Sequence, residues 1–151
     1  LAPWHQNLAK RSIKTPKLYF YDTGLLCYLL GIRSTENLAQ STYKGAIFEN
    51  YMILEILKHQ KAIGVSTPLA FYRDHDQHEI DLIIERPQQI QLIEMKANFT
   101  VKPEHLKNLH YLDQKLTNTQ LQHTLVNFGP ETQKRTNETV LTWKEIATLV
   151  N

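Results

Sequence analysis

Two acidic residues and a lysine interrupt the apolar middle of the chain, where residues 78–98 read HEIDLIIERPQQIQLIEMKAN. Asp81 lies among isoleucine and leucine residues, and Glu94 and Lys96 interrupt the next apolar run. Carboxylates are ligands that Mg²⁺ prefers, together with water and phosphate oxygens, and a lysine can orient a water molecule or neutralise a phosphate. With the backbone carbonyl of Met95 as a further ligand, these residues indicate a site for Mg²⁺ or Mn²⁺ that acts on a phosphodiester.

The two apolar runs are predicted to be strands joined by a turn. Because strand side chains alternate between the two faces of a sheet, Asp81 is expected to share a face with Glu79 and Ile83, and Glu94 with Lys96. The opposite faces are expected to be apolar, formed by Ile80, Leu82, Ile84, Ile93 and Met95. If the strands are neighbours, the two acids and the lysine converge on one side of the sheet.

A third carboxylate, Glu49, lies on the apolar stripe of a long helix predicted over residues 46–61 and closed by Gly64. At about 100° per residue, that stripe also contains Ala46, Met52, Ile53, Ile56 and Leu57. Desolvating a carboxylate costs several kcal/mol unless a partner compensates. If this helix covers the polar face of the strands, Glu49 joins the cluster and holds the lysine or a water molecule.

The remaining periodicities predict a small sheet covered by helices. Predicted strands cover residues 17–21, 69–74, 79–85, 90–97, 122–128 and 139–143, and predicted helices cover residues 22–31, 46–61, 103–116 and 144–150. A polar connector is expected over residues 33–44. The fold class is therefore α/β, with a small mixed central sheet flanked by helices.

Other polar residues are weaker candidates for contacts with nucleic acid. Arg73 follows an aromatic strand and is placed to meet a phosphate, and Lys107 and Gln114 are polar residues of the predicted helix at 103–116, which in similar folds aims a polar side chain into the site. The basic and aromatic blocks AKRS and KTPKLYF, within residues 9–20, suit either a nucleic-acid backbone or packing against a neighbouring part of a longer protein. The stretch DHDQHE, residues 74–79, offers zinc-binding residue types, but its turn character favours a flexible loop.

The composition is that of an ordinary globular domain. The chain has 151 residues, a formal net charge of +2 and a single cysteine, Cys27. An intrachain disulfide is therefore excluded, and the cytoplasm is the expected compartment. The small net charge does not decide for or against nucleic acid, because a local basic patch fits within a neutral total. No apolar run reaches the roughly 18–20 residues of a membrane helix, so no membrane partner is expected.

Two resemblances follow from these residues. Asp81, Glu94 and Lys96, in the order D-x(n)-E-x-K, are similar to the motif of the PD-(D/E)XK nuclease superfamily, and Glu49 matches the acidic residue that many members carry on the first core helix. Ile80 stands where the motif has its proline. The blocks GAIFENYMILEIL, FYRDHDQHEIDLIIE and IEMKAN, in this order, resemble the C-terminal domain of uncharacterised function found in bacterial and archaeal AAA-type P-loop ATPases.

The resemblance implies a restriction-endonuclease-like fold and metal-dependent cleavage of DNA or RNA. Residues 1–40 would be a connector with a short helix that joins the ATPase part, and residues 41–151 the nuclease-like domain. The chain contains no G-x-x-x-x-G-K-[ST], so ATP is expected only in that other part. The expected partners are nucleic acid and the ATPase domain of the same protein, and an oligomer is compatible with this.

Two alternatives stay open. The first is a catalytically inactive module that binds nucleic acid or a protein and regulates the ATPase. The second is a structural domain that holds ATPase subunits together, with the apolar segment Leu25–Leu30 and Trp4 as its interface.

Overall fold

The computed structural model describes residues 1–4, 15–116 and 120–150, and the basic block at residues 9–12 lies outside them. The strands are β1 (Ala2–Pro3), β2 (Leu69–Arg73), β3 (Glu79–Arg86), β4 (Gln89–Lys96), β5 (Gln120–Asn127), β6 (Gln133–Lys134) and β7 (Glu138–Thr142). The helices are α1 (Thr23–Leu29), α2 (Thr35–Gln40), α3 (Lys44–Ala62) and α4 (Lys107–Tyr111), with 3₁₀-helices at Pro103–Leu106 and Trp143–Leu149. The protein is a mixed α/β domain, as predicted.

The strands form one seven-stranded mixed sheet in the order β1-β2-β3-β4-β5-β7-β6. Strands β2, β3 and β4 form an antiparallel meander. Strand β5 then pairs parallel to β4, and β7 pairs parallel to β5. A parallel pair needs a crossover connection, which the segment containing α4 provides between β4 and β5. The central strands β3 and β4 are covered on both sides, which explains why they read as nearly continuous apolar runs.

Two hydrophobic cores lie on the two faces of the sheet. Helix α3 and the last 3₁₀-helix cover one core, which contains Phe48, Met52, Ile53, Ile56, Leu82, Ile84, Ile93, Met95, Val126, Leu141, Ile146 and Leu149. The α4 segment covers the other, which contains Trp4, Tyr72, Ile80, Ile83, Ile90, Leu92, Leu106, Leu109, Leu112, Leu116, Leu125 and Val140. Each fully buried aliphatic side chain contributes about 1.5–3 kcal/mol, so these layers fix α3 and the central strands in place.

The predicted alternation along β3 is wrong at one point. Ile80 was expected on the face of Leu82 and Ile84, but it lies in the same core as Ile83, on the other side of the sheet. The pairing with β2 shifts there, because Ala70 faces Ile83 whereas Tyr72 faces Ile80. Strand β3 therefore contains one extra residue, a β-bulge, in the stretch that contains Asp81 and Leu82. Bulges turn a side chain away from its regular direction and are frequent next to active sites.

The segment of residues 15–22, called the N-terminal arm below, was predicted to contain a strand and instead has no regular secondary structure. Its backbone groups find other partners. Asn50, buried on α3, accepts a hydrogen bond from the Phe20 N–H at 2.8 Å and donates to the Phe20 carbonyl at 3.0 Å. The Lys17 N–H donates to the Leu1 carbonyl at 3.0 Å. The bonds to Asn50 hold the arm against α3, and the bond to Leu1 joins it to the start of the described chain.

Several other predicted boundaries were wrong. The helix expected over residues 103–116 is a 3₁₀-helix followed by the short α4, although Leu112 and Leu116 are still buried. The expected connector at 33–44 contains α2, which Ser34 caps by accepting from the Asn37 N–H. The closing helix is a 3₁₀-helix.

Two more observations concern predicted surfaces. Trp4, expected at an interface, is buried and donates from its indole N–H to Glu85 at 2.9 Å. Helix α1, in contrast, has no buried residue. Among the described helices, none is both long and apolar enough to cross a membrane.

Candidate active site

The site begins at the point where β3 and β4 stop pairing. Their ladder runs from Arg86 opposite Gln89 to Leu82 opposite Ile93. Beyond that last pair, the bulge places the side chain of Asp81 in the gap between the strands, where its Oδ2 accepts the Met95 backbone N–H at 2.8 Å. A carboxylate thus occupies a place in the sheet that a backbone carbonyl would normally take.

The backbone of Met95 faces this same gap. In a strand, the N–H and the C=O of one residue point to the same side. Because the Met95 N–H is bonded to Asp81, its carbonyl is also directed towards β3. The structure therefore places together the carboxylate and the backbone carbonyl that the sequence singled out.

Glu94 and Lys96 form an ion pair beside this gap. The Lys96 Nζ lies 2.5 Å from the Glu94 Oε1, and the Glu94 side chain is 4% exposed whereas that of Lys96 is 32% exposed. The second oxygen of Glu94, Oε2, is buried and has no hydrogen-bond partner among the described residues. A buried carboxylate oxygen without a partner is costly, so this atom is an acceptor suited to a further ligand.

The buried acids Asp81 and Glu94 have raised pKa values, and neighbouring charges contribute to these shifts. Burial raises the pKa of Asp81 well above its usual range, and the negative charges of Glu94 and Glu49 raise it further, against the opposing charge of Lys96. Burial also raises the pKa of Glu94, against the charge and hydrogen bond of Lys96. Burial lowers the pKa of Lys96, but Glu94 and Asp81 outweigh it, so its net pKa is raised. The site is therefore short of positive charge, and protons occupy the buried acids more readily than usual.

Glu49 reaches the site from α3, although not by the predicted route. The apolar stripe of α3 packs against the face of Leu82, Ile93 and Met95, not against the face shared by Glu94 and Lys96. Ala46, expected on the stripe, is exposed. The Glu49 side chain is 19% exposed, and its charge contributes to the raised pKa of Asp81.

Two residues of the N-terminal arm complete the site. Lys17 Nζ donates to the Glu49 Oε1 at 2.9 Å and also pairs with Glu79. The Tyr19 hydroxyl donates to the same Glu49 oxygen at 2.5 Å. Burial and the charge of Glu49 raise the pKa of Tyr19, so its hydroxyl stays a donor. Sequence reasoning did not place these residues in the site; the only signal was the basic and aromatic character of KTPKLYF.

The weaker nucleic-acid candidates are placed differently. Arg73 lies near the site but binds Glu79, at 2.7 Å from its Nε and 2.5 Å from its Nη2. Burial raises the pKa of Glu79, but Lys17 and Arg73 outweigh it and leave that pKa low. Lys107 and Gln114 are exposed at α4 and in the turn after it. Within the part of the chain that the structure describes, neither forms a hydrogen bond or ion pair with Asp81, Glu94 or Glu49.

The three predicted acids are close enough to influence one another, but they do not form a tight ligand group. Among the described residues, the groups of three ligand-type side chains whose ligand atoms all lie within 4.8 Å of one another are His110-Asp113-His123 and Asp74-Asp76-His78. Asp81, Glu94 and Glu49 are not among them. Lys17 pairs with Glu49, and Lys96 pairs with Glu94.

Fold and site together define a mixed α/β domain with a buried acidic cluster at the end of a central hairpin. Residues 44–146 match a domain of unknown function, DUF4143, and the chain belongs to this family. That domain is typically found in ATPase-associated proteins. Residues 1–36 match a second domain of unknown function, DUF8612. The predicted kinship with an uncharacterised ATPase-associated domain is thus confirmed at the level of the family.

The curated relatives are uncharacterised, so they assign no function to this chain. An uncharacterised protein of Mycobacterium bovis and one of Mycobacterium tuberculosis are each 36% identical to the chain over 85 residues, which is 56% of this chain. The matched region spans only 18% of the length of either relative. No solved structure matches the chain.

Proposed function

We propose that this domain is a nuclease with a restriction-endonuclease-like PD-(D/E)XK core, which hydrolyses phosphodiester bonds of DNA or RNA with Mg²⁺ or Mn²⁺. One observation carries the proposal. Two buried carboxylates, Asp81 and Glu94, lie at the end of the β3–β4 ladder beside Lys96, and one Glu94 oxygen has no hydrogen-bond partner in the described ranges of the chain.

The residues present suit a hard divalent cation. Mg²⁺ takes oxygen ligands and uses one or two carboxylates together with water and phosphate oxygens. Among the described residues, the Glu94 Oε2 has no hydrogen-bond partner, and burial raises the pKa of both Asp81 and Glu94, so a bound cation would favour their charged forms. Asp81, Glu94 and the Met95 carbonyl would hold the ion. When bound, it would stabilise the charge that develops on the phosphate.

The side chains around these ligands have separate roles in the proposal. Lys96 stays protonated because its pKa is raised, so it would orient the attacking water or neutralise the phosphate. Its pairing with Glu94 fixes where that charge lies. Glu49, held by Tyr19 and Lys17, would orient a water molecule on the side of α3.

The rest of the proposal concerns the full-length protein. The match to an ATPase-associated family and the much greater length of the relatives support a P-loop ATPase domain as partner in the same protein. That domain would bind ATP and bring nucleic acid to this one. The cytoplasm is the proposed compartment.

The experiment is a cleavage assay on plasmid, single-stranded DNA and RNA with Mn²⁺. We expect cleavage by the unaltered domain and a loss of about 10²–10³-fold in Lys96→Met, the cost typical of removing one preorganised donor. Lys58→Met is the matched control, because Lys58 is exposed and pairs with Glu55 on the surface of α3. Equal cleavage by the Lys96 and Lys58 variants, or no cleavage of any substrate, would contradict the proposal.

A second function rests on a different observation. Two lysines already pair with Glu49 and Glu94, and the three acids do not gather within ligand distance. This arrangement favours a catalytically inactive module that binds nucleic acid or a protein and regulates the ATPase. Such a module would show no Mn²⁺ site by calorimetry, and Asp81→Asn would retain full, salt-dependent affinity for nucleic acid.

A further inference from the structure

A second cluster of ligand-type side chains lies between the α4 segment and β5, on the face of the sheet that α4 covers. His110 lies in the last turn of α4, Asp113 follows in the next turn, and His123 lies on β5. The His123 Nε2 is 2.7 Å from the Asp113 Oδ1, and the His110 Nδ1 is 3.2 Å from the Asp113 Oδ2. One ligand atom from each of the three residues lies within 4.8 Å of the other two.

His123 is the least exposed member, and its ring has an unusual environment. Its side chain is 9% exposed. Its Nδ1 faces the backbone carbonyl of Asn137 at 3.2 Å, whereas its Nε2 faces the Asp113 carboxylate. A neutral imidazole has one N–H, so in the neutral form of the ring only one of these two contacts carries a proton. Histidines that bind a metal commonly donate the other ring N–H to a backbone carbonyl, which leaves the free nitrogen directed at the ion.

We propose that His110, Asp113 and His123 bind a transition-metal ion of the zinc class. Two imidazoles and one carboxylate are a typical ligand set for Zn²⁺ and Co²⁺, whereas Mg²⁺ prefers oxygen ligands alone. The Asp113 and His110 side chains are 39% and 40% exposed, so solvent can reach a fourth position. A site with three protein ligands and an open position differs in kind from a closed structural site.

The distances allow this with small movements. Zinc–ligand bonds of about 2.0–2.2 Å in a tetrahedron place neighbouring ligand atoms roughly 3.3 Å apart. The observed separations are 2.7 Å and 3.2 Å. An ion therefore needs the Asp113 carboxylate to withdraw from His123 by about half an ångström, and Asp113 lies in a turn with an exposed side chain.

The other triplet, Asp74-Asp76-His78, is a poorer candidate. Both oxygens of Asp74 already accept a hydrogen bond, from the Tyr111 hydroxyl at 2.8 Å and from the His78 N–H at 2.9 Å. Asp76 is exposed. The ring of His78 stacks on Tyr111 with centroids 3.7 Å apart. Through these contacts the cluster joins the β2–β3 turn to α4 and has a structural role.

The test uses Co²⁺ as a spectroscopic probe and Zn²⁺ as its competitor, on the intact chain. We expect one equivalent of Co²⁺ to give the intense visible absorption of a tetrahedral ion and Zn²⁺ to remove it. Asp113→Asn and His110→Ala alter partly exposed side chains and should weaken binding at least 100-fold, since loss of outer partners alone costs about 10–100-fold. His75→Ala, an exposed histidine outside the triplet, is the matched control.

No tetrahedral Co²⁺ spectrum, or an affinity that Asp113→Asn leaves unchanged, would overturn the proposal. An affinity lost in His75→Ala would also overturn it. Asp81→Asn is expected to leave the spectrum unchanged. The outcome is therefore independent of whether the domain cleaves nucleic acid.

Discussion

Replacing Asp81 by asparagine is expected to stabilise the metal-free domain and to remove its stabilisation by Mn²⁺. Asparagine has the same shape and can still accept the Met95 N–H through its oxygen. It lacks the charge that burial and the neighbouring carboxylates of Glu94 and Glu49 disfavour. The substitution thus removes an electrostatic cost and also a ligand of the proposed site.

The pH dependence follows from the raised pKa of Asp81. Below its ordinary value of 3.8, the residue is protonated in both the folded and the unfolded chain and has no differential effect. As the pH rises, the unfolded chain loses the proton first, so the unaltered domain loses stability until the pH passes the folded pKa. The advantage of Asp81→Asn should therefore grow from acid to neutral pH and then level off. Each pKa unit is worth about 1.4 kcal/mol.

Mn²⁺ should reverse the order of stability, so that the unaltered domain becomes more stable than Asp81→Asn. A ligand that binds only the folded state at 100 times its dissociation constant stabilises it by about 2.7 kcal/mol. For a domain of this size, that corresponds to a rise of roughly 5–10 °C in melting temperature. The unaltered domain should gain this amount, and Asp81→Asn should gain little.

The assay is urea unfolding and thermal melting at pH 4, 6 and 8, each with and without Mn²⁺. Asp76→Asn is the control, because it makes the same chemical change at an exposed position. If Asp81→Asn is less stable than the unaltered domain at pH 8 without metal, the argument about buried charge is wrong. If Mn²⁺ stabilises both equally, Asp81 is not a ligand.

Two further predictions concern stability. Tyr19→Phe removes a hydrogen bond to the charged Glu49 and should lower the free energy of unfolding by about 1.5–3 kcal/mol in urea; no change would mean that the arm is not held by this bond. Gly129→Ala places a Cβ 2.8 Å from the Asn127 Oδ1 and should cost about 1–3 kcal/mol. Gly45→Ala, where a helical Cβ meets nothing within 4 Å, should instead stabilise by about 0.5–1 kcal/mol, and equal effects of the two substitutions would refute this reasoning.

Regular local patterns were sufficient to predict the frame of the fold. The two-residue period located β3 and β4 within a residue or so, and the helical stripe located α3 with Gly64 just beyond its end. The unexpected position of Glu49 on that stripe was also informative, since it was found beside charged partners. Periodic patterns and isolated polar residues can be recognised in the sequence because a buried face tolerates few polar residues.

Features that depend on one added residue or on distant contacts were not predictable. The bulge in β3 has no mark in the sequence, because Asp81 and its apolar neighbours read as an uninterrupted strand. Lys17 and Tyr19 meet α3 only in the folded chain, about thirty residues away in sequence. The spacing of leucines up to Leu116 imitated a long helix, although those side chains are buried from a 3₁₀-helix, a short helix and a turn.

The N-terminal arm has a practical meaning for any shortened version of this protein. The family match begins at residue 44, and a chain trimmed to that limit would keep Glu49 and Glu79 but lose the lysine that bridges them. It would also leave Asn50 without its hydrogen bonds to the backbone N–H and carbonyl of Phe20. Expression and assay of the isolated family region would then report on an incomplete molecule, so comparisons among relatives should include the thirty or so residues upstream.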